Sequence, residues 1–345
     1  MLLRLTRCRA SEHRCRKCRF DQFRAVVGVV YTRQNRSCLG HHSHDVVSRN
    51  ASGFRGGATT VRDSFTNRGA VDVAWMWPVR SLRPLHGPLQ RAFLSTAARP
   101  VTMLGIADDG NSSFMRGPAQ APQVIRAAMR SDSANDYCEL GLSVSSSIDD
   151  AGDLPGGVTH ARVVEAVHKI LDAGSAPLVL GGDHAVSFPV VKALIERDPV
   201  RPLRILHFDA HTDTYDSLDG NGFSHACPFA RACEMTPRPR LLQVGIRTLT
   251  PALRAQAERF GIRMVQCRDF PETRAQLRQT ISEWLSDDGD GAEDEDVPTT
   301  AREAQAVGRA DVYISVDLDA LDPAYAPGVS HHEPGGLSTR QVDAV

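Results

Sequence analysis

No long hydrophobic run occurs in this chain of 345 residues; the longest near its start is the short stretch Ala25 to Tyr31. A bilayer-spanning helix needs about 20 consecutive apolar residues, so neither a span nor a membrane partner is expected. Regularly spaced cysteine is also lacking. Of eight cysteines, four precede residue 40 (Cys8, Cys15, Cys18, Cys38) and four are scattered after it, which excludes a disulfide framework and fits a reducing compartment. Cys15 and Cys18 have a zinc-like interval, but no second Cys/His pair follows at a finger-like distance. With 41% hydrophobic and 23% charged residues, fibrous and wholly disordered classes are excluded and a large core is possible.

Acidic residues are scarce in one region only. Residues 1–100 carry 18 Lys/Arg against 5 Asp/Glu, although the whole chain has 40 against 41. That asymmetry divides the chain into a basic leader, 1–100, and a domain, 101–345. The leader has the Arg-rich, acid-poor texture of a mitochondrial transit segment, with a mis-assigned upstream start as the rival reading and a cytoplasmic location as its corollary. No nucleic-acid partner is assigned to it. Residues 286–310 are acidic and free of aromatics, and are expected to form a surface insertion.

From Val101 onward, short apolar runs alternate with amphipathic stretches. "VTMLGI" (101–106), "APLVLGG" (176–182), "PLRILHFD" (202–209), "RLLQVGI" (240–246), "IRMVQC" (262–267) and "DVYISVDLD" (311–319) are expected to be buried strands. Between them, Val163, Val167, Ile170 and Leu171 recur at helical spacing before Gly174. This alternation predicts an α/β fold, a mostly parallel sheet covered on both faces.

Ligands of such sheets sit beyond the carboxyl ends of the strands. Asp183 and His184 follow one run, Asp209 to Asp213 a second, and Asp317 with Asp319 a third. If extension persists beyond residue 208, Asp209, His211 and Asp213 share one face of the pleat. Carboxylates crowded in this way repel unless a cation lies among them. His184, Asp209, His211, Asp213, Asp317 and Asp319 form a cysteine-free set suited to Mn²⁺, Mg²⁺ or Fe²⁺ before Zn²⁺. Six ligands exceed what one ion needs when water must also bind, so two ions sharing carboxylates are expected.

"GGDHAVSFPVV" (181–191), "FDAHTDTYD" (208–216) and "SVDLDALDPAYAPG" (315–328) resemble the signatures of the ureohydrolase family, which includes arginases and agmatinases. The resemblance is greatest to plant-type arginases, through "NSSFMRGPAQAPQVIR" (111–126), "GNGFSHACPFAR" (220–231) and "APGVSHHEPGGLS" (326–338). It implies a three-layer αβα fold with two Mn²⁺ per subunit. One ion would be held by His184, Asp209, Asp213 and Asp317, the other by Asp209, His211, Asp317 and Asp319. The implied reaction is hydrolysis of a small guanidino substrate, arginine or agmatine, to urea by a metal-bridging hydroxide. Asp213 would manage the proton and His225 would be a second proton carrier. Asn221 and Ser224 would meet the far end of the substrate, and Arg116, His332 or Glu333 would border the pocket or a subunit contact. A homo-oligomer, trimer or hexamer, is implied. The family also has a guanidinium-gripping glutamate on a strand after the last signature; the sequence ends at Val345 before such a strand, so that strand and its helices are expected to be missing, with a metal-binding but inactive subunit as the alternative.

Overall fold

The strands are, in chain order, β1 (Val26–Tyr31), β2 (Val101–Ile106), β3 (Ile148–Leu154), β4 (Ala176–Leu180), β5 (Leu203–Phe208), β6 (Arg240–Ile246), β7 (Arg263–Gln266) and β8 (Asp311–Asp317). All six apolar runs singled out from the sequence form strands. The structure, a computed structural model, describes residues 26–31, 100–138, 141–287 and 310–343. Most of the expected leader (1–100) and of the acidic insertion (286–310) therefore lies outside the described residues.

The eight strands form one sheet in the order β3-β2-β4-β1-β8-β5-β6-β7. β2 pairs in parallel with β3 and β4, and β5 pairs in parallel with β6 and β8, as β6 does with β7. β1 alone is antiparallel, to both β4 and β8, with Val27 opposite Leu180 and Val26 opposite Asp317. A strand was not expected inside the leader. Its six residues, VVGVVY, are too uniformly apolar to show a period. β3 was missed for the opposite reason. It is an edge strand whose residues 149–153 are all exposed, so neither an apolar run nor a buried face marks it.

The helices are α1 (Ala121–Met129), α2 (His160–Asp172), α3 (Ser187–Arg197), α4 (Pro228–Cys233), α5 (Pro251–Phe260), α6 (Arg274–Ser286) and α7 (Thr339–Val342). Strand parity sorts the core into two layers. Leu203 and Ile205 of β5, Leu241 of β6 and Tyr313 of β8 pack with Val163, Val167, Val190, Val191 and Phe229 from α2, α3 and α4. Their neighbours Leu206, Phe208, Leu242 and Val244 face the other way, onto Trp284 of α6 and Val342 of α7. Each fully buried side chain of this size contributes roughly 1.5–3 kcal/mol, so the two layers fix the sheet firmly. No helix among the described residues is long and apolar enough to cross a membrane.

Candidate metal centre

The three charged clusters leave the sheet at the carboxyl ends of β4, β5 and β8. The backbone does not stay extended there, which corrects the alternation argument made from the sequence. β5 ends at Phe208, and Asp213 has φ of 49°, a left-handed conformation costing on the order of 1–3 kcal/mol in a non-glycine residue. A different device repeats at all three ends. Asp183 Oδ1 accepts from the Ala185 N–H at 3.0 Å, Asp209 Oδ1 from the His211 N–H at 2.7 Å, and Asp317 Oδ1 from the Asp319 N–H at 2.9 Å. An aspartate that folds back onto the N–H two residues later makes an Asx turn. The Asp-x-His and Asp-x-Asp spacings therefore encode turns that swing the following residue inward.

Gly182 allows the first of these ends to sit where it does. A Cβ there would collide with the Asp108 carbonyl, to whose oxygen the Asp183 N–H bonds at 2.9 Å. Asp183 itself faces Asn111, accepting its N–H at 2.8 Å, and burial pushes its pKa up to about 6 against these hydrogen bonds. It is a cap and no part of the cage.

His184 is fully buried, with Nε2 3.0 Å from Ser315 Oγ. Its Nδ1 faces three carboxylates: Asp213 Oδ2 at 2.9 Å, Asp209 Oδ2 at 3.0 Å and Asp317 Oδ2 at 3.5 Å. His211 Nδ1 lies 3.2 Å from Asp319 Oδ2 and 3.4 Å from Asp209 Oδ1. Asp319 Oδ1 also accepts from Ala210 N at 3.2 Å, tying the β8 turn to the β5 turn. All six candidate ligands thus converge, with Asp209 between the two imidazoles.

The electrostatics follow from burial and proximity. Burial opposes charge on His184, but the Asp209 and Asp213 carboxylates outweigh it and hold the pKa well above the usual imidazole value. For His211 burial is likewise overridden, by Asp209 and Asp319, and the pKa rises to about 11. Asp209 sits well below the carboxylate range despite burial, because His184, His207 and His211 surround it.

These residues fit divalent cations. His184 Nδ1 and Asp213 Oδ2 are buried and 2.9 Å apart, yet neither has a hydrogen bond of acceptable direction. Buried polar atoms are normally paired, and atoms aimed at a common point without pairing suit a shared ion. Asp209, His211 and Asp319 offer ligand atoms within 4.8 Å of one another, as do His184, His207 and Asp209. Four ionised carboxylates would balance two divalent charges, and the oxygen and imidazole donors favour hard to borderline ions.

His207 lies against this cage. Gln243 Nε2 donates to its Nδ1 at 3.0 Å and to the Thr212 carbonyl at 2.6 Å, so Nε2 carries the proton, directed at Asp209 Oδ2 2.9 Å away. Burial lowers its pKa, which keeps the ring neutral. It orients Asp209, as outer partners of metal ligands commonly do.

His225 is buried beside the cage, with Nδ1 2.7 Å from the Asn111 carbonyl oxygen. A carbonyl can only accept, so Nδ1 is protonated and donates to it, while Nε2 lies 3.3 Å from Ser113 Oγ. Ser224 is buried, its Oγ 3.2 Å from His225 Nδ1, and so supports the imidazole. Both ends of the Asn221 amide are engaged: Nδ2 donates to Asn111 Oδ1 at 2.9 Å and Oδ1 accepts from Phe223 N at 2.9 Å. The structure thus uses Asn221 to join two loops. Arg116 is exposed, 3.7 Å from Asp109, and His332 is exposed with Nε2 3.1 Å from the Pro327 oxygen. Glu333 comes closer, with Oε1 3.7 Å from His211 Nε2. The neighbour His331 was not singled out from the sequence, yet its ring lies 5.8 Å from His211, 6.0 Å from His225 and 6.0 Å from Phe114. Two adjacent histidines in "SHHEP" offer no sequence signal as to which one turns inward.

Residues 99–345 match the model of the arginase family. "Arginase 1, mitochondrial" of Oryza sativa subsp. indica is 40% identical over 277 residues, covering 76% of this chain and 74% of that protein. The agmatinase of Bacillus anthracis is 30% identical over 250 residues, covering 70% and 75%. Among solved structures, arginase from Medicago truncatula superposes with a TM-score of 0.58 at 38% identity, covering 74% of this chain and 77% of that one. Sheet, site and relatives agree: the chain belongs to the arginase family, hydrolases that act on guanidino C–N bonds.

Proposed function

We propose that this chain is a binuclear manganese arginase, converting L-arginine to L-ornithine and urea. His184, Asp209, Asp213 and Asp317 would hold one ion, and Asp209, His211, Asp317 and Asp319 the other. The observation that carries this reading is the pair of buried atoms, His184 Nδ1 and Asp213 Oδ2, held 2.9 Å apart without a hydrogen bond inside a six-residue cage. Two bound ions supply a water whose pKa falls toward neutrality.

The protein's own groups do the remainder. The guanidinium carbon gains oxygen from water and loses the alkyl amine, which needs a proton to leave. Asp213, at the cage wall, takes the water's proton and passes it toward that nitrogen. His225 exchanges protons at Nε2, because the Asn111 carbonyl holds its other nitrogen protonated. The agmatinase relative supports the same chemistry on a substrate without an α-carboxylate. Arginine is favoured by the higher identity of the arginase relatives. The name of the rice relative supports a mitochondrial location, and assembly into a homo-oligomer belongs to the same proposal.

Urea release from L-arginine and from agmatine, measured with added Mn²⁺ and after chelation, tests this. Arginine is expected to be the better substrate, with activity lost on chelation. Preference for agmatine would reassign the substrate, and no urea from either would overturn the proposal.

A further inference from the structure

Arg247, the residue after β6, donates every one of its hydrogen bonds in this structure to backbone carbonyls. Nε reaches Glu333 O at 3.0 Å; Nη1 reaches Gly245 O at 3.2 Å and Ala320 O at 3.4 Å; Nη2 reaches Asp319 O at 2.7 Å, Glu333 O at 2.8 Å and Leu321 O at 3.3 Å. One planar fork thus joins three segments: the end of β6, the turn after β8, and the loop around Glu333. The third segment is admitted by Gly336, where a Cβ would strike Asp322 N, Leu321 C and Arg247 Nη2.

Two of the carbonyls held belong to Asp319 and Glu333, whose carboxylates flank His211, at 3.2 Å from Nδ1 and 3.7 Å from Nε2. His184 and Asp213, on the other side of Asp209, do not appear among its contacts. The guanidinium therefore grips the backbone behind one half of the cage. Resting on the two-ion reading above, we propose that Arg247 is the positioning residue of the second cation site, the one assigned to Asp209, His211, Asp317 and Asp319. It directs the Asp319 carboxylate through the main chain and leaves the His184 site to stand by itself. A lysine, with three donors on one nitrogen, cannot span three segments as the fork does.

The test is Mn²⁺ titration of the chelator-treated full chain by calorimetry, with circular dichroism to check the fold. The unaltered chain is expected to bind two ions. Arg247→Met is expected to keep one at unchanged affinity and to bind the second roughly 10–100-fold more weakly, as loss of an outer partner does. Arg247→Lys keeps the charge and should weaken the same ion in the same direction, and it carries the test if the methionine variant does not fold. Two ions at unaltered affinity in Arg247→Lys, or equal weakening of both ions in either variant, would overturn the inference. Fewer than two ions in the unaltered chain would instead count against the binuclear reading itself.

Discussion

The two ends of β5 bury charge in opposite ways. At its amino end Arg204 is 4% exposed, donates to the Trp284 and Asp287 carbonyls at 2.6 and 3.1 Å, and lies 5.8 Å over the Trp284 ring. At its carboxyl end Asp209, His211 and Asp213 crowd against His184, Asp317 and Asp319, with close approaches but misdirected atoms. A buried cation whose two terminal nitrogens donate to fixed, neutral carbonyls is structural. A buried cluster held at short range without full satisfaction is kept for something it binds. The distinguishing feature is the partner: neutral carbonyls around one cation at the amino end, and carboxylates crowded against carboxylates and imidazoles at the other.

Perturbing the carboxyl end should produce the largest effect and leave the fold intact. Asp209→Asn removes the carboxylate between the two imidazoles, and urea release should drop about a thousandfold, equivalent to roughly 4 kcal/mol, with an unchanged circular dichroism spectrum. Next, Mn²⁺ at about 100 times its dissociation constant should stabilise the unaltered chain by about 2.7 kcal/mol per ion bound in urea unfolding. Asp209→Asn should lose most of that gain. The amino end should respond in reverse: Arg204→Met leaves the buried Trp284 carbonyl without this donor, lowering unfolding free energy by about 1–3 kcal/mol, while Mn²⁺ still confers its full increment.

The smallest effect lies far from both ends. Arg126 on α1 is 7% exposed and pairs with Asp150 at 2.9 Å and with Asp153, both on β3. Burial works against the Asp150 charge, but hydrogen bonds from Arg126 outweigh it and lower the pKa. A lowered carboxylate pKa stabilises the fold above its unfolded value of about 3.9 and ceases to do so as pH falls through the folded value. Asp150→Asn should therefore cost about 0.5–1 kcal/mol near pH 7, discounted because the carboxylate is partly exposed. The difference should shrink as pH falls below the unfolded value and vanish once pH has passed the lower folded value, in pH-dependent unfolding.

Much of this was legible in the linear sequence, and the exceptions have physical causes. The runs that became β4, β5 and β6 are buried on both faces and those of β2 and β8 largely so, while β7, an exposed to half-buried edge strand, was marked by its apolar content alone. β3 is held by backbone pairing to β2 and by Arg126, neither of which leaves a local pattern. The six cage residues were visible because acids and imidazoles directly after apolar runs are rare. The reason for their spacing was not visible: alternation in a pleat and an Asx turn both place a group two residues on. Ser224 and Asn221 were assigned to the substrate from loop position. The structure adds their bonds to His225 and Asn111, partners 1 and 110 residues away that sequence spacing cannot reveal.

The strand order has a mechanical consequence. Within the sheet, β3, β2 and β4 form one panel and β8, β5, β6 and β7 another, with antiparallel β1 as the seam between them. His184 leaves the first panel, whereas Asp209, Asp213, Asp317 and Asp319 leave the second. An ion held by His184 and those carboxylates is a rivet across the seam, while one held by His211 and Asp319 fastens the second panel only to itself. Amide exchange along β4 and β8 should therefore slow when the first ion loads and respond little to the second.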